Sequence, residues 1–481
     1  MNIGLILYIT SIAIIFESLF MFFPILVSFI YGERDLIPLT LSFLVTFLTG
    51  FSVYQFSKGY RKNELKHREA FFTVTFSWVM ATFFASLPYL LSGSISSFTD
   101  AYFEAMAGFT TTGSSVVRDV EILPKGILFW RSLTQWMGGM GIILFALAVL
   151  PILGTGGMQL FKAEVPEISV DKLRPRIIDT AKALWLIYTG LTVLCSTVYA
   201  AGGMSIFDAV NHSFTTMATG GFSTKNESLA YFKSPTIEFS SSLFMFLAGI
   251  NYSLYFYVFR GDISRLFKSE EFRFYLFLTI TATLLITLNL LNSSRSVIDS
   301  FRFALFQVTS IMTTTGYASA DFEKWPPLSL VILVIIMFAG GMIGSTGGGI
   351  KQVRILLTLK QGYREIYQLI HPRAVTALKL DDRILSKEIL GSIWGFFFLF
   401  ILIWVIATAG MAATGTDIVT STTTVISAMC NVGPALGEAG PSENYASLPV
   451  IAKWILIFCM LTGRLELYTV LILFIPRFWK K

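Results

Sequence analysis

Four short stretches of this sequence have a composition suited to holding a cation stripped of its water. Residues 109–115 read Phe-Thr-Thr-Thr-Gly-Ser-Ser, 217–222 Met-Ala-Thr-Gly-Gly-Phe, 313–318 Thr-Thr-Thr-Gly-Tyr-Ala and 430–435 Cys-Asn-Val-Gly-Pro-Ala. In each, small or hydroxylic residues lead to a glycine. Thr111 and Thr112 precede Gly113, Ala218 and Thr219 precede Gly220, Thr314 and Thr315 precede Gly316, and Asn431 and Val432 precede Gly433. Backbone carbonyls replace the water of a dehydrated ion at short range without a fixed charge that would trap it. For carbonyls to point inward the chain must leave the helix, and glycine permits φ values that other residues resist. Such backbone is tolerated at membrane depth where it is packed in protein or lines a watery cavity. These residues are the expected alkali-cation ligands of four loops around one axis. A single Thr-Gly would be an ordinary interfacial turn; the fourfold recurrence carries the pore reading.

The elements around the loops repeat as well. Each stretch follows an apolar run too short to cross a bilayer, whereas spanning takes about 20 residues of helix, and each precedes a long apolar run. The turn glycines recur at intervals of 107, 96 and 117 residues, a loose period of one such unit. Nine residues before each stands a polar residue: Glu104, Asn211, Gln307 and Thr424. Partway down each following helix is another glycine: Gly139, Gly249, Gly341 and Gly463. The 481 residues are 54% hydrophobic and only 14% charged, too little charge for a soluble domain of this size.

The expected fold is therefore an all-α polytopic membrane protein. An N-terminal two-helix hairpin precedes four helix–pore-loop–helix repeats, giving ten spanning helices and four re-entrant half-helices around one central pore. The hairpin and a basic loop occupy 1–68, and the repeats occupy 69–160, 161–262, 263–380 and 381–481. The first apolar run lacks a cleavage-site pattern and reads as a membrane helix, not a removed signal peptide.

Residues 338–351, Phe-Ala-Gly-Gly-Met-Ile-Gly-Ser-Thr-Gly-Gly-Gly-Ile-Lys, interrupt a helix of the third repeat. Glycine in a helix interior costs ~1 kcal/mol relative to alanine, so this piece is expected to unwind. The small residues run consecutively and not at one-face spacing, which favours a flexible gate across the pore over a close-packed helix face. Gly340, Gly341, Gly344, Ser345, Thr346, Gly347, Gly348, Gly349 and Lys351 are its candidate residues. Arg464 lies inside the last spanning helix. A charge at that depth usually faces the protein interior with partners, and the freed carbonyls of 340–349 would supply them; the alternative is an arginine snorkelling to the cytoplasmic interface. Arg131 and Lys453 lie nearer helix ends and read as interface anchors, and Trp130, Trp136 and Trp454 as belt residues.

Basic residues set the orientation. With the pore loops dipping in from outside, the cytoplasmic segments hold 25 of the 36 Lys and Arg and the outer segments eight, as the positive-inside rule requires. Both termini are then cytoplasmic. The outer segments are net negative, which either draws cations to an outer mouth or reflects ordinary solvation. Cys195, Cys430 and Cys459 are scattered in apolar sequence and read as packing residues, with neither a disulfide framework nor metal spacing. No catalytic constellation, nucleotide-binding loop or nucleic-acid motif is present, so an enzyme reading has nothing to rest on.

Residues 109–113, 212–224, 312–318, 340–351, 428–437 and 463–467, together with the run 171–185, resemble the Trk/Ktr/HKT superfamily of potassium transporters, most closely its TrkH/TrkG branch. The resemblance spans essentially the whole chain, including the N-terminal hairpin. It implies that K⁺ is the transported ion, held by carbonyls just before and at the four turn glycines. It also implies that the broken helix is an intramembrane gate contacted by Arg464. The protein would be a homodimer in the bilayer of the bacterial plasma membrane, controlled by a cytosolic TrkA-type ring of nucleotide-binding RCK domains, with no cofactor in this chain. All four turn positions are glycine; serine at the first would raise sodium selectivity, as in some plant relatives. A Na⁺- or H⁺-coupled symporter, or a Na⁺-permeable transporter of the same fold, is the alternative that the sequence leaves open.

Overall fold

The computed structural model describes residues 1–61, 63, 65–141, 177–291, 296–374, 376–381, 383–385 and 387–480. The second half of the expected helix 126–150, the run 171–185 up to Arg176 and the boundary between the first two repeats lie outside the described residues. The described residues are mostly helical. Among the described residues, six helices are long and apolar enough to cross a membrane: Ile3–Tyr31, Leu36–Tyr60, Arg68–Leu91, Ala181–Ala201, Glu270–Leu291 and Leu390–Ala413. Their outward faces carry exposed Phe, Leu and Ile, such as Phe398 and Ile406. Such faces suit a bilayer, where every backbone group is satisfied within the helix. The chain is a multi-pass membrane protein.

The first two of these helices pack against each other, and the turn between them is tied to the rest. Buried Asp35 accepts from Ile127 N at 2.9 Å, at the start of the helix Lys125–Trp136. At the opposite end, Asn2 N donates to Glu69 Oε1 at 2.6 Å and Arg68 Nη1 to the Lys480 carbonyl at 2.8 Å. Both ends of the chain and the basic stretch around residue 60 thus share one face of the bundle.

Four short helices lie deep in the protein: Phe98–Phe109, Ile206–Met217, Val297–Met312 and Ile418–Cys430. Their starts are built alike. Ser97, Ser205 and Ser296 each accept from the N–H of an aspartate three residues on, and Asp417 accepts from Val419 N and Thr420 N. Such caps satisfy the first free N–H groups, and the acidic residue suits the positive end of the helix. The other ends, partially negative, converge on the centre.

The sequence predicts one break, in the third repeat, in the helices that follow the loops; the structure has more. Pro235–Ala248 and Tyr252–Val258 meet at 99°, and Val450–Arg464 and Leu467–Phe474 at 118°. Lys125–Trp136 runs into a π turn, Met137–Gly141. Glycines at the breaks explain this, the recurring Gly463 in the last repeat and, in the first, Gly138 just before the recurring Gly139. A side chain on Gly138 would collide with the Phe109 carbonyl, and one on Gly463 with that of Met429. The breaks bring backbone against the ends of the short helices, where no side chain fits.

Candidate ion pathway

At the end of each short helix the chain turns through the left-handed region twice. The first residue is Thr111, Thr219, Thr314 or Asn431, at φ 53°, 53°, 61° and 55°. Two positions later come Gly113, Gly221, Gly316 and Gly433, at 81°, 77°, 80° and 106°. In the second repeat this pattern sits one residue later than the sequence suggests. Ala218 is still the helix cap, and the loop is Thr219–Gly220–Gly221. The hydrogen bonds agree: Gly220 N donates to the Thr215 carbonyl as Thr112 N does to Ala107, five residues back in each case. Two adjacent glycines make the register ambiguous in the sequence, and only the second takes positive φ.

With that correction the four loops close a ring. A Cβ on Gly113 would overlap the Gly220 carbonyl oxygen, one on Gly221 that of Thr315, one on Gly316 that of Val432, and one on Gly433 that of Thr112. Each repeat's glycine meets the preceding-position carbonyl of the next repeat, and the fourth returns to the first. Gly113, Gly221, Gly316 and Gly433 all border one cavity of about 160 Å³. Asn431 Nδ2 donates to Thr112 Oγ1 at 2.9 Å, stitching the fourth loop to the first.

The loops are braced from behind. Glu104, fully buried, accepts from Ser115 Oγ and from Val116 N at 2.9 Å. In the second repeat the matching residue is His212, whose Nε2 lies 3.0 Å from Ser223 Oγ, and not the Asn211 that the sequence period selects. Gln307 donates to the Tyr317 carbonyl at 3.4 Å. Gln135, which no motif in the sequence singles out, clamps the second loop. Its Nε2 donates to the Gly220 carbonyl at 2.6 Å and its Oε1 accepts from Phe222 N at 3.0 Å.

Arg131 and Lys453 are not interface anchors. Arg131 pairs with Glu104 at 2.8 Å with side chains 2% and 0% exposed, and its guanidinium covers the Phe222 ring. Lys453 is buried and pairs with Asp100 at 2.7 Å. Trp130 and Trp136 are also buried, the former donating to the Ala85 carbonyl at 3.0 Å. The helices carrying these residues are surrounded by protein, so the charges find partners and not lipid headgroups. Cys195, Cys430 and Cys459 are buried and unpaired.

Residues 340–351 are not helical and fold back on themselves. Gln352 Nε2 donates to the Gly340 carbonyl at 2.8 Å and Ile350 N to Phe338 O at 3.0 Å, joining the ends. Gly340, Gly344, Gly349 and Lys351 take positive φ. The loop lies directly beneath the ring. Thr346 Oγ1 donates to the Met217 carbonyl at 3.0 Å and lies 3.3 Å from Thr219 Oγ1. Gly348 N donates to Thr314 Oγ1 at 2.7 Å, a side chain on Gly347 would meet the Thr313 carbonyl, and one on Gly348 would collide with that of Cys430. The Ser345 hydroxyl donates to Met342 O, Gly341 packs against Gly249, and Lys351 Nζ donates to the Gly347 carbonyl. Arg464 reaches in from the last helix. It donates to the Thr346 carbonyl at 2.8 Å and to those of Gly138 and Gly139. Loop and arginine together touch all four repeats.

Residues 39–481 match the family model TrkH, a cation transport protein. The chain is 42% identical over 485 residues to the Trk system potassium uptake protein TrkH of Halomonas elongata, covering 100% of both. It is 42% identical over 478 residues to the Trk system potassium uptake protein TrkH of Escherichia coli strain K12, covering 98% of both. The crystal structure of the potassium transporter TrkH from Vibrio parahaemolyticus matches with a TM-score of 0.90 at 39% identity, over 100% of both chains. Those relatives are named as transporters. The chain belongs to the TrkH family of cation transport proteins.

Proposed function

We propose that this protein carries potassium into the cell across the bacterial plasma membrane, through a gated, K⁺-selective pore, as the transmembrane subunit of a Trk system. The observation that carries this reading is the closed ring in which each loop glycine abuts the neighbouring loop's carbonyl. Carbonyls packed to that tolerance, at the negative ends of four short helices, favour a bare monovalent cation and contribute no formal charge to hold it. The ion-binding positions are Thr111–Gly113, Thr219–Gly221, Thr314–Gly316 and Asn431–Gly433. Residues 340–351 with Arg464 are the gate, closed in this conformation because the loop occupies the space under the ring.

Taking each bent pair as one span, the two arms flanking 340–351 together as another, and Lys125–Trp136 as the start of one more, gives ten spans in a hairpin and four repeats. The basic face that holds both termini is cytoplasmic, and the short helices start from outside. Relatives named as parts of a Trk system support a further subunit; we read this chain as a homodimer under a TrkA-type regulatory subunit, to which nucleotide control would belong.

The test is ⁸⁶Rb⁺ against Na⁺ uptake into liposomes holding the purified protein alone under an imposed voltage. Voltage-driven, Rb⁺-preferring flux is expected. Equal Rb⁺ and Na⁺ flux would sink the selectivity. Absence of flux even after removal of Gly347–Gly349 would sink the pore.

A further inference from the structure

Glu271 lies in the first turn of the helix Glu270–Leu291, the first of the third repeat, and is 5% exposed. Among the described residues, its carboxylate has no basic side chain within ion-pair distance. Instead, Oε1 accepts two backbone N–H groups: Ile343 N at 2.8 Å and Val353 N at 3.2 Å. Ile343 is on the arm entering the glycine-rich loop, and Val353 is on the arm leaving it. One oxygen thus bridges the two limbs of the non-helical interruption between the helices Pro327–Ala339 and Gln352–Ile370.

We infer that Glu271 is the latch of the gate: a positioning residue that holds residues 343–353 as a closed hairpin beneath the ring. A buried carboxylate is expensive to desolvate, and here it gains charge-assisted bonds to backbone that no helix satisfies. Other bonds also close the loop: Gln352 donates to the Gly340 carbonyl, Ile350 N to that of Phe338, Lys351 to that of Gly347 and Arg464 to that of Thr346; what Glu271 adds is a tie from both limbs to the first helix of the repeat. Met342 N to the Gly249 carbonyl and Tyr252 N to the Gly344 carbonyl are neutral bonds, and each touches one limb only. The glycines on both sides supply little stiffness of their own. Without the bridge the limbs keep the bonds made by Gln352 and Ile350 but lose their common anchor on the first helix of the repeat, so the contacts of Thr346 and Gly348 beneath the ring are weakened. The neighbouring Glu270 is turned elsewhere. Its side chain pairs with Lys360, and its N–H donates to Asp381 at 2.7 Å.

This inference rests on residues 340–351 being the gate, so its test needs a readout besides flux. Ser345→Cys places a thiol on the loop, while Cys195, Cys430 and Cys459 are all buried. In that background, Glu271→Ala is expected to raise the rate of labelling by a membrane-impermeant maleimide, supplied on the cytoplasmic side, several-fold. Basal ⁸⁶Rb⁺ flux should rise several-fold with the Rb⁺/Na⁺ ratio unchanged, because the ring is untouched. Glu271→Gln keeps an acceptor oxygen and the side-chain volume, so it should fold and fall between the two. Glu270→Gln should label like the parent. Labelling that stays at the parent rate in both Glu271 variants overturns the latch. Faster labelling, with no Rb⁺ flux in any variant including the Gly347–Gly349 deletion, upholds the latch and overturns the ion pathway.

Discussion

Arg131 and Glu104 meet at 2.8 Å in the interior of the protein, and the pair ties the first short helix to the broken helix behind it. The arginine also donates to the Ser223 carbonyl at 3.1 Å, just past the second loop. One ion pair therefore sets the spacing of two adjacent loops. Removing one partner of a buried pair typically costs about 3–5 kcal/mol, because the other charge is left uncompensated. Arg131→Met should lower the thermal unfolding temperature sharply in detergent. Arg131→Met with Glu104→Gln should recover a substantial part of that loss. A double variant no more stable than the single one would show that the pair does not act as a unit.

Gln135 holds both sides of the second loop, through the Gly220 carbonyl and Phe222 N. Gln135→Leu keeps the bulk and removes both partners. A buried group left unsatisfied costs about 1–3 kcal/mol, so the loop should loosen more than the protein as a whole. The expected result is a folded transporter with a reduced Rb⁺/Na⁺ flux ratio. A normal ratio would mean that the ring's packing alone fixes the Gly220 carbonyl.

The loops themselves are legible in the sequence, because four glycines after half-length helices are hard to place otherwise. The register of the second is not. Met-Ala-Thr-Gly-Gly-Phe offers two glycines, and the backbone angles and the contacts between repeats choose Gly221. A local signal does exist. Asp100 and Asp208, each three residues after a capping serine, stand 13 residues before Gly113 and Gly221. The breaks at Gly249 and Leu465 are hidden for another reason. The stretch around Gly249 stays apolar, Arg464 and Glu466 read as charges within one continuous helix, and the backbone groups the breaks free are satisfied by distant partners, such as Met342 N on the Gly249 carbonyl. Arg131 reads as an anchor on similar grounds: its partner Glu104 is 27 residues away, beyond any helical spacing.

The corrected register makes a prediction that the sequence alone does not. Gly113→Ser, Gly221→Ser and Gly316→Ser each force a side chain against the next loop's carbonyl, at a positive φ that L-residues resist. All three should weaken K⁺-over-Na⁺ discrimination while the protein still folds. At Gly220 a Cβ meets the Gln135 side chain and not the ring, so Gly220→Ser should affect stability more than selectivity. Relative permeability measured in the four variants decides the matter. A larger loss of selectivity at Gly220 than at Gly221 would return the register to that read from the sequence.

The last prediction concerns what keeps the space under the ring filled. Arg464 contributes donors to three carbonyls, one on the glycine-rich loop and two on the broken helix of the first repeat. Just beyond it, Glu466 pairs with Arg354 on the helix that leaves the loop, at 2.7 Å. The loop is thus held to the last helix at two points, both electrostatic. Arg464→Gln retains an amide donor but not the reach to both sides, and deletion of Gly347–Gly349 removes the segment lying closest to Thr313 and Cys430. Both changes should raise basal Rb⁺ flux in liposomes, the deletion more than the substitution. Combining them should add little, because a loop that no longer reaches the ring cannot be released a second time. Fluxes that multiply in the double variant would show that Arg464 acts on the pathway independently of the loop, through Gly138 and Gly139 alone.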